Sequence, residues 1–191
     1  MKKKGLWITL AVVLVVVIAI VGSFASSYNK FVSMEEKVES ASADISVYLQ
    51  RRADLIPNFV NSVKGYSDYE QETYTAVTEA RAAVSKADDV DEQAAASAQL
   101  DRAIDVWVNA VTEAYPELKA NEQYIALQDE LAGSENRIAT ARKDYNETAR
   151  EYNNAVRRFP SNIVAALFDF DKAEYFESDD SASKVPTVDF S

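Results

Sequence analysis

The sequence predicts an all-α protein: an N-terminal transmembrane helix, then an elongated antiparallel helical bundle of long heptad-patterned helices. Three observations carry this. Apolar residues recur at steps of three and four over most of the chain, the period of one helix face. Glycine and proline number only four each, and no sustained strand-like alternation occurs. Leu6 to Ala25 is an almost purely apolar run preceded by Lys2, Lys3 and Lys4.

That run comes first. Its 20 residues would span about 30 Å as a helix, the thickness of a bilayer core. Ser23-Phe24-Ala25 has the form of a cleavage site, but a secretory signal's apolar core is shorter, about 7–15 residues. An uncleaved anchor over 6–25 is therefore expected, contacting membrane lipid, after a basic cytoplasmic N-terminus over 1–5. The lysines place that terminus inside, so the bulk of the chain is expected outside the membrane.

The first long helix continues through Tyr28, with Phe31, Met34, Val38, Ala41, Ile45, Tyr48, Leu55, Phe59 and Tyr66 on one seam. Arg52 occupies a position where that seam calls for an apolar residue. Pro57, five residues on, removes a backbone donor and is expected to kink the helix. A buried unpaired guanidinium is too costly to persist, so Arg52 should meet a carboxylate from a facing helix. Glu135 is the leading candidate for this buried ion pair and Glu130 the reserve. Arg51, Asp54, Asn58 and Lys64 lie off the seam and form a candidate interaction face.

Gly65 permits an end or bend, with a bent helical continuation expected to about Lys86. Asp89 or Asp91 can cap the next helix, seamed by Leu100, Ile104, Trp107 and Val111. Tyr115-Pro116 interrupts it. The third long helix has Tyr124, Leu131, Ile138, Tyr145, Tyr152 and Phe159 seven apart, with Leu127, Ala141 and Ala155 between them. Strict sevens imply a supercoiled partner, and antiparallel pairing with the first helix is the economical choice. Asn146 and Asn153 follow the seam tyrosines, as rungs between helices or as tolerated neighbours, with packing the favoured account. Ser161 can cap a short helix holding Ile163, Val164, Leu167 and Phe168. The bundle is expected over 26–176, followed by an acidic flexible tail over 177–191. Apolar residues return at Val185, Val188 and Phe190, and Pro186 to Phe190 is expected to dock extended on the bundle or on a partner while Glu177 to Ser183 stays mobile.

The stretch Gln50-Arg51-Arg52-Ala53-Asp54-Leu55-Ile56-Pro57-Asn58, followed by Val63-Lys64-Gly65-Tyr66, resembles the signature of the LemA family of membrane-anchored bacterial helical proteins. Tyr115-Pro116-Glu117-Leu118-Lys119-Ala120-Asn121, Ser134-Glu135-Asn136-Arg137-Ile138-Ala139 and Pro186-Thr187-Val188-Asp189-Phe190 extend the likeness. The resemblance implies a scaffold more than a catalyst. In that family the position of Tyr69 is often histidine, so a role resting on that imidazole does not transfer here.

Composition narrows function further. The net charge is −11; without the three N-terminal lysines, 17 basic side chains face 31 acidic ones, or −14. So acidic a domain repels phosphates, which excludes nucleic acid as a partner. With no cysteine and no histidine, thiolate ligands, histidine triads and Glu-x-x-His metal sites are impossible. The glycines are scattered singly, so no loop can cradle phosphates. No catalytic, cofactor or metal residue is assigned. The expected role is a single-pass scaffold or adaptor at the bacterial inner membrane, binding another envelope protein. A homo-oligomeric coiled coil that organises membrane is the alternative, followed by a carboxylate-based hydrolase. The hydrolase would need two acidic groups with raised pKa values converging in one pocket.

Overall fold

The computed structural model describes residues 2–63 and 71–177, with side chains described for 7–62 and 75–177. Among the described residues five α-helices follow in order: α1 Lys2–Val63, α2 Gln71–Val84, α3 Val90–Ala114, α4 Glu122–Arg157 and α5 Ser161–Leu167. Among the described residues there is no strand, and the all-α expectation holds. Gly65, Tyr66 and the 177–191 tail beyond Glu177 lie outside the described residues, as does Lys64. The chain divides into two compact units. Unit 1 comprises Met1–Ser40 with Glu147–Ala173, and unit 2 comprises Ala41–Asn146 with Glu174–Ser191.

In unit 1, α1 begins as an exposed apolar helix. Every described side chain from Trp7 to Ser23 faces outward, and the helix is long and apolar enough to cross a membrane. Beyond it, Phe31 meets Tyr152 and Val156 of α4 and Val164, Ala165 and Phe170 in one buried cluster, flanked by Phe24, Met34 and Val38. Phe159 departs from the heptad expectation: α4 ends at Arg157, so the helical phase no longer applies, and the ring is 77% exposed. Ser161 departs too. Its hydroxyl donates to the carbonyls of Ala155 (2.8 Å) and Arg158 (2.7 Å), closing the end of α4 rather than capping α5. The orphan carbonyls of a long helix compete for the same hydroxyl and win. Asp169 then takes a left-handed conformation (φ 55°), and the Phe170 N–H bonds the Ala165 carbonyl at 3.0 Å. That 6→1 closure is a Schellman turn, and it returns Phe170 to the core.

In unit 2, α1 passes through Pro57 without ending until Val63. Its buried face is wider than one seam. Leu49, Ala53, Ile56 and Val60 are buried beside Ile45 and Phe59, whereas Tyr48 and Leu55 are only half-buried. The cause is a second neighbour. Phe59 packs on Trp107 of α3 (centroids 5.1 Å) and stacks on Tyr124 of α4 (5.1 Å), so two adjacent stripes are covered. Between the two caps offered by sequence, Asp89 is used: its carboxylate accepts the Glu92 N–H at 2.7 Å. Pro116–Ala120 forms a single 3₁₀ segment, after which the Asn121 side chain caps α4 by accepting from Gln123 and Tyr124.

The asparagines also differ from the expectation of simple packing. The Asn153 amide donates to the Ala173 carbonyl and accepts the Ala173 N–H, both at 2.8 Å, within unit 1. In unit 2, Asn146 brackets Phe176 in the same way, at 2.8 and 2.9 Å. A primary amide offers one donor and one acceptor edge, the complement of one extended residue's backbone. These side chains therefore hold the extended segment after α5, not a facing helix.

Candidate functional site

Arg52 is the buried charge around which unit 2 is arranged. Its side chain is 8% exposed, and Nη1 donates to Asp101 Oδ1 on α3 and to Glu135 Oε2 on α4. The heptad seams alone do not point to Asp101. Its signal is a carboxylate one residue past Leu100, on the rim of the second seam. Glu130 instead pairs with Arg51 at 2.9 Å and lies 3.7 Å from Arg137. The two carboxylates are open to water at their outer ends, with side-chain exposures of 30% for Asp101 and 41% for Glu135. Burial nevertheless pushes the Asp101 carboxyl up from its usual 3.8. Arg52 opposes that shift, the neighbouring Glu135 charge adds to it, and Arg142 opposes it more weakly. Arg142 lies over the Phe176 ring at 5.6 Å, and its Nε and Nη2 are buried without hydrogen-bond partners among the described residues.

Arg51, Asp54 and Asn58 share one groove of about 720 Å³ with Val47, Leu49, Leu55, Val84, Ala87 and Gln93. Its wall is built by helix spacing, since residues 47, 51, 54, 55 and 58 fall on one flank of α1. Gln50 Nε2 donates to Asp54 Oδ1 at 3.0 Å, and Arg81 Nη2 stands 3.8 Å from the same oxygen. Gln93 closes the floor. It is 4% exposed; Nε2 donates to Ser46 Oγ at 2.9 Å, while Oε1 has no hydrogen-bond partner among the described residues. A second groove on the same unit, about 320 Å³, is lined by Asp44, Tyr48, Arg137, Thr140 and Asp144. Among the described residues, no three acidic side chains are grouped so as to hold a metal ion.

The sequence profile of the LemA family matches residues 41–190, most of the chain. The chain belongs to the LemA family. It is 27% identical to Protein LemA of Metamycoplasma hominis over 164 residues, covering 84% of this chain and 72% of that protein. Magnetosome protein MamQ 2 of Paramagnetospirillum magneticum is 26% identical over 186 residues, 84% of this chain and 68% of its own length. Magnetosome protein MamQ of Magnetospirillum gryphiswaldense is 23% identical over 201 residues, 92% of this chain and 74% of its own. The family match begins at Ala41 and so contains the Arg52 pair and the groove, but not the apolar run of α1.

Proposed function

We propose that this LemA-family chain is a single-pass scaffold of the bacterial inner membrane, anchored by residues 6–25 with its bulk outside. It offers the groove beside Arg51, Asp54 and Asn58 to a segment of a partner envelope protein. The observation that carries this reading is the floor of the groove. A buried amide oxygen without a partner costs about 1–3 kcal/mol, and because this one is covered, a donor from a bound segment would recover that cost only as the Gln93 side chain turns outward. Apolar Val47, Leu55 and Val84 supply burial beside it, and the Arg51 and Asp54 charges set orientation at the rim. Lys64 extends the same face in sequence. A catalytic role has less support. Asp101 and Glu135 converge as a hydrolase pair would, but on a guanidinium, and neither lines either of the two grooves.

A photoreactive amino acid placed at position 58 of the full chain in native membranes tests this. The expected result is a discrete heterologous crosslink, lost when Arg51 and Asp54 become alanine and absent with the photoreactive group at exposed Glu113. Equal labelling from positions 58 and 113 would overturn the reading. A second reading, a self-associating protein that organises membrane, is favoured by the relatives named for the magnetosome. It predicts that the crosslinked species is the chain's own dimer.

A further inference from the structure

We propose that the turn between α4 and α5 is a second membrane contact, with Phe159, Ile163, Leu167 and Phe168 entering the interface of the bilayer that α1 crosses. This rests on the anchor reading above and adds a lipid-facing surface to it. Four large apolar side chains are exposed here: Phe159 at 77%, Leu167 at 64%, and Ile163 and Phe168 at 49% each. Ile163 and Leu167 are one helical turn apart on the outward face of α5, while Val164 and Ala165 on its other face are buried. Exposed apolar residues scattered singly need no explanation, but a contiguous group marks a contact surface.

Depth identifies the occupant. Within unit 1, α4 runs antiparallel to α1, toward the end of α1 that carries the apolar run. Phe31 shares a core with Tyr152 and Val156, and Ser27 and Lys30 share a groove of about 340 Å³ with Arg158 and Ser161. At the same level of α1, the Tyr28 ring meets Phe168 edge-on at 4.9 Å and Phe170 at 5.5 Å, and Phe24, nearer the apolar run, packs on the same core. From Trp7 to Tyr28 the helix rises about 31 Å, against a hydrocarbon core of about 30 Å. Aromatic side chains favour the two interfaces, so Tyr28 marks where α1 leaves the hydrocarbon, and α5 lies beside it.

The chemistry of the turn fits the same plane. In a chain with 31 acidic side chains, none falls between Glu151 and Asp169. Arg157 and Arg158 are exposed immediately before Phe159. Guanidinium groups at phosphate depth with phenylalanine and leucine just below them is the arrangement by which interfacial segments hold a lipid surface.

The absence of cysteine makes a direct test clean. Full-length chains carrying Ile18→Cys, Leu167→Cys or Glu36→Cys, each nitroxide-labelled, are reconstituted in vesicles of phosphatidylethanolamine and phosphatidylglycerol. Power saturation then reads each label's accessibility to oxygen against a water-soluble nickel complex. The expected oxygen-to-nickel ratio at position 167 is several-fold above that at position 36, approaching the value at position 18. A lipid-buried label at 18 with position 167 as water-exposed as position 36 would overturn the second contact and leave the anchor intact. A water-exposed label at 18 would overturn the anchor and this proposal together. Adding Phe159→Ser to the Leu167→Cys chain should lower the ratio at 167, and no change on that substitution counts against the contact.

Discussion

The cores of the two units are built from the same heptad helices, yet they differ in kind. Among its described residues, unit 1 buries Phe31, Tyr152, Val156, Val164, Ala165 and Phe170 and no charged side chain. Unit 2 buries Arg52, Gln93, Ser97 and Ser134 among its apolar residues. The difference bears on register. Two helices that both repeat every seven residues can slide by one heptad and still match apolar to apolar. An arginine that meets two carboxylates in only one alignment penalises the slip. Among its described residues unit 1 has no such charge; its chain instead turns back through Asp169, and Asn153 holds Ala173 by both its backbone N–H and its C=O. One unit sets its alignment with a charge, the other with a chain reversal.

The sharpest way to break the comparison is to remove one group from each core and follow unfolding of the full chain in detergent by its helical circular dichroism. Phe31→Ala in unit 1 should cost about 4 kcal/mol, since a ring 1% exposed leaves a cavity lined by residues fixed on α4 and α5. Arg52→Ala in unit 2 should cost about 3 kcal/mol, the low end for breaking a buried pair, because both stranded carboxylates have water at their outer ends. Arg52→Leu combined with Asp101→Asn and Glu135→Gln should recover most of that loss; Phe31→Ala has no equivalent rescue. A cost under about 1 kcal/mol for Arg52→Ala would mean that the guanidinium behaves as a surface group.

Much of this was legible in the sequence, and the failures have physical causes. The run from Leu6 to Ala25, the interruption at Tyr115-Pro116 and the seam through Tyr124, Leu131, Ile138, Tyr145 and Tyr152 all follow from local periodicity and local sterics. The second stripe of Leu49, Ala53, Ile56 and Val60 did not, because a single period cannot say how many neighbours a helix has. Asp101 was missed for the same reason: the third helix contributing to the Arg52 site becomes visible only once that stripe is covered. The roles of Asn146 and Asn153 depend on backbone 30 and 20 residues away, and nothing near an asparagine announces an extended segment folded back onto it. Position alone suits Ser161 to the helix it precedes, whereas the carbonyls it serves belong to the end of the helix behind it.

Those clamps sharpen the comparison at an intermediate scale. Asn153→Ala leaves the Ala173 N–H and C=O without their partners in a site where the asparagine was 6% exposed, and should cost about 2 kcal/mol. Asn153→Asp retains the acceptor but loses the donor, so it should fall between wild type and alanine. Hydrogen exchange at the Ala173 amide is the specific readout: it should accelerate in Asn153→Ala and stay nearer the wild-type rate in Asn153→Asp, which still accepts that N–H. An unchanged exchange rate in Asn153→Ala would mean that the surrounding segment is held by Phe170 alone.

The smallest expected effect is the most informative about unit 2, because it asks whether burial or the guanidinium governs Asp101. Burial raises the native pKa above 3.8, and attraction to Arg52 does not reverse the shift. A native state that holds its proton more tightly than the unfolded chain loses relative stability as pH rises from the unfolded pKa through the native one. Asp101→Asn removes this titration while keeping an oxygen for Arg52 to bond. Wild-type stability minus that of Asp101→Asn should therefore fall as pH rises from the usual aspartate pKa of 3.8 through the raised native one, and then level off. Ordinary ion-paired carboxylates behave in the opposite sense, gaining stability over the same interval as they ionise. A difference that rises with pH would show that Arg52 dominates the site and that Asp101 works as a simple salt-bridge partner. A falling difference would mean that Glu135 is the principal counter-ion and that Asp101 is tolerated beside it mainly as a hydrogen-bond acceptor.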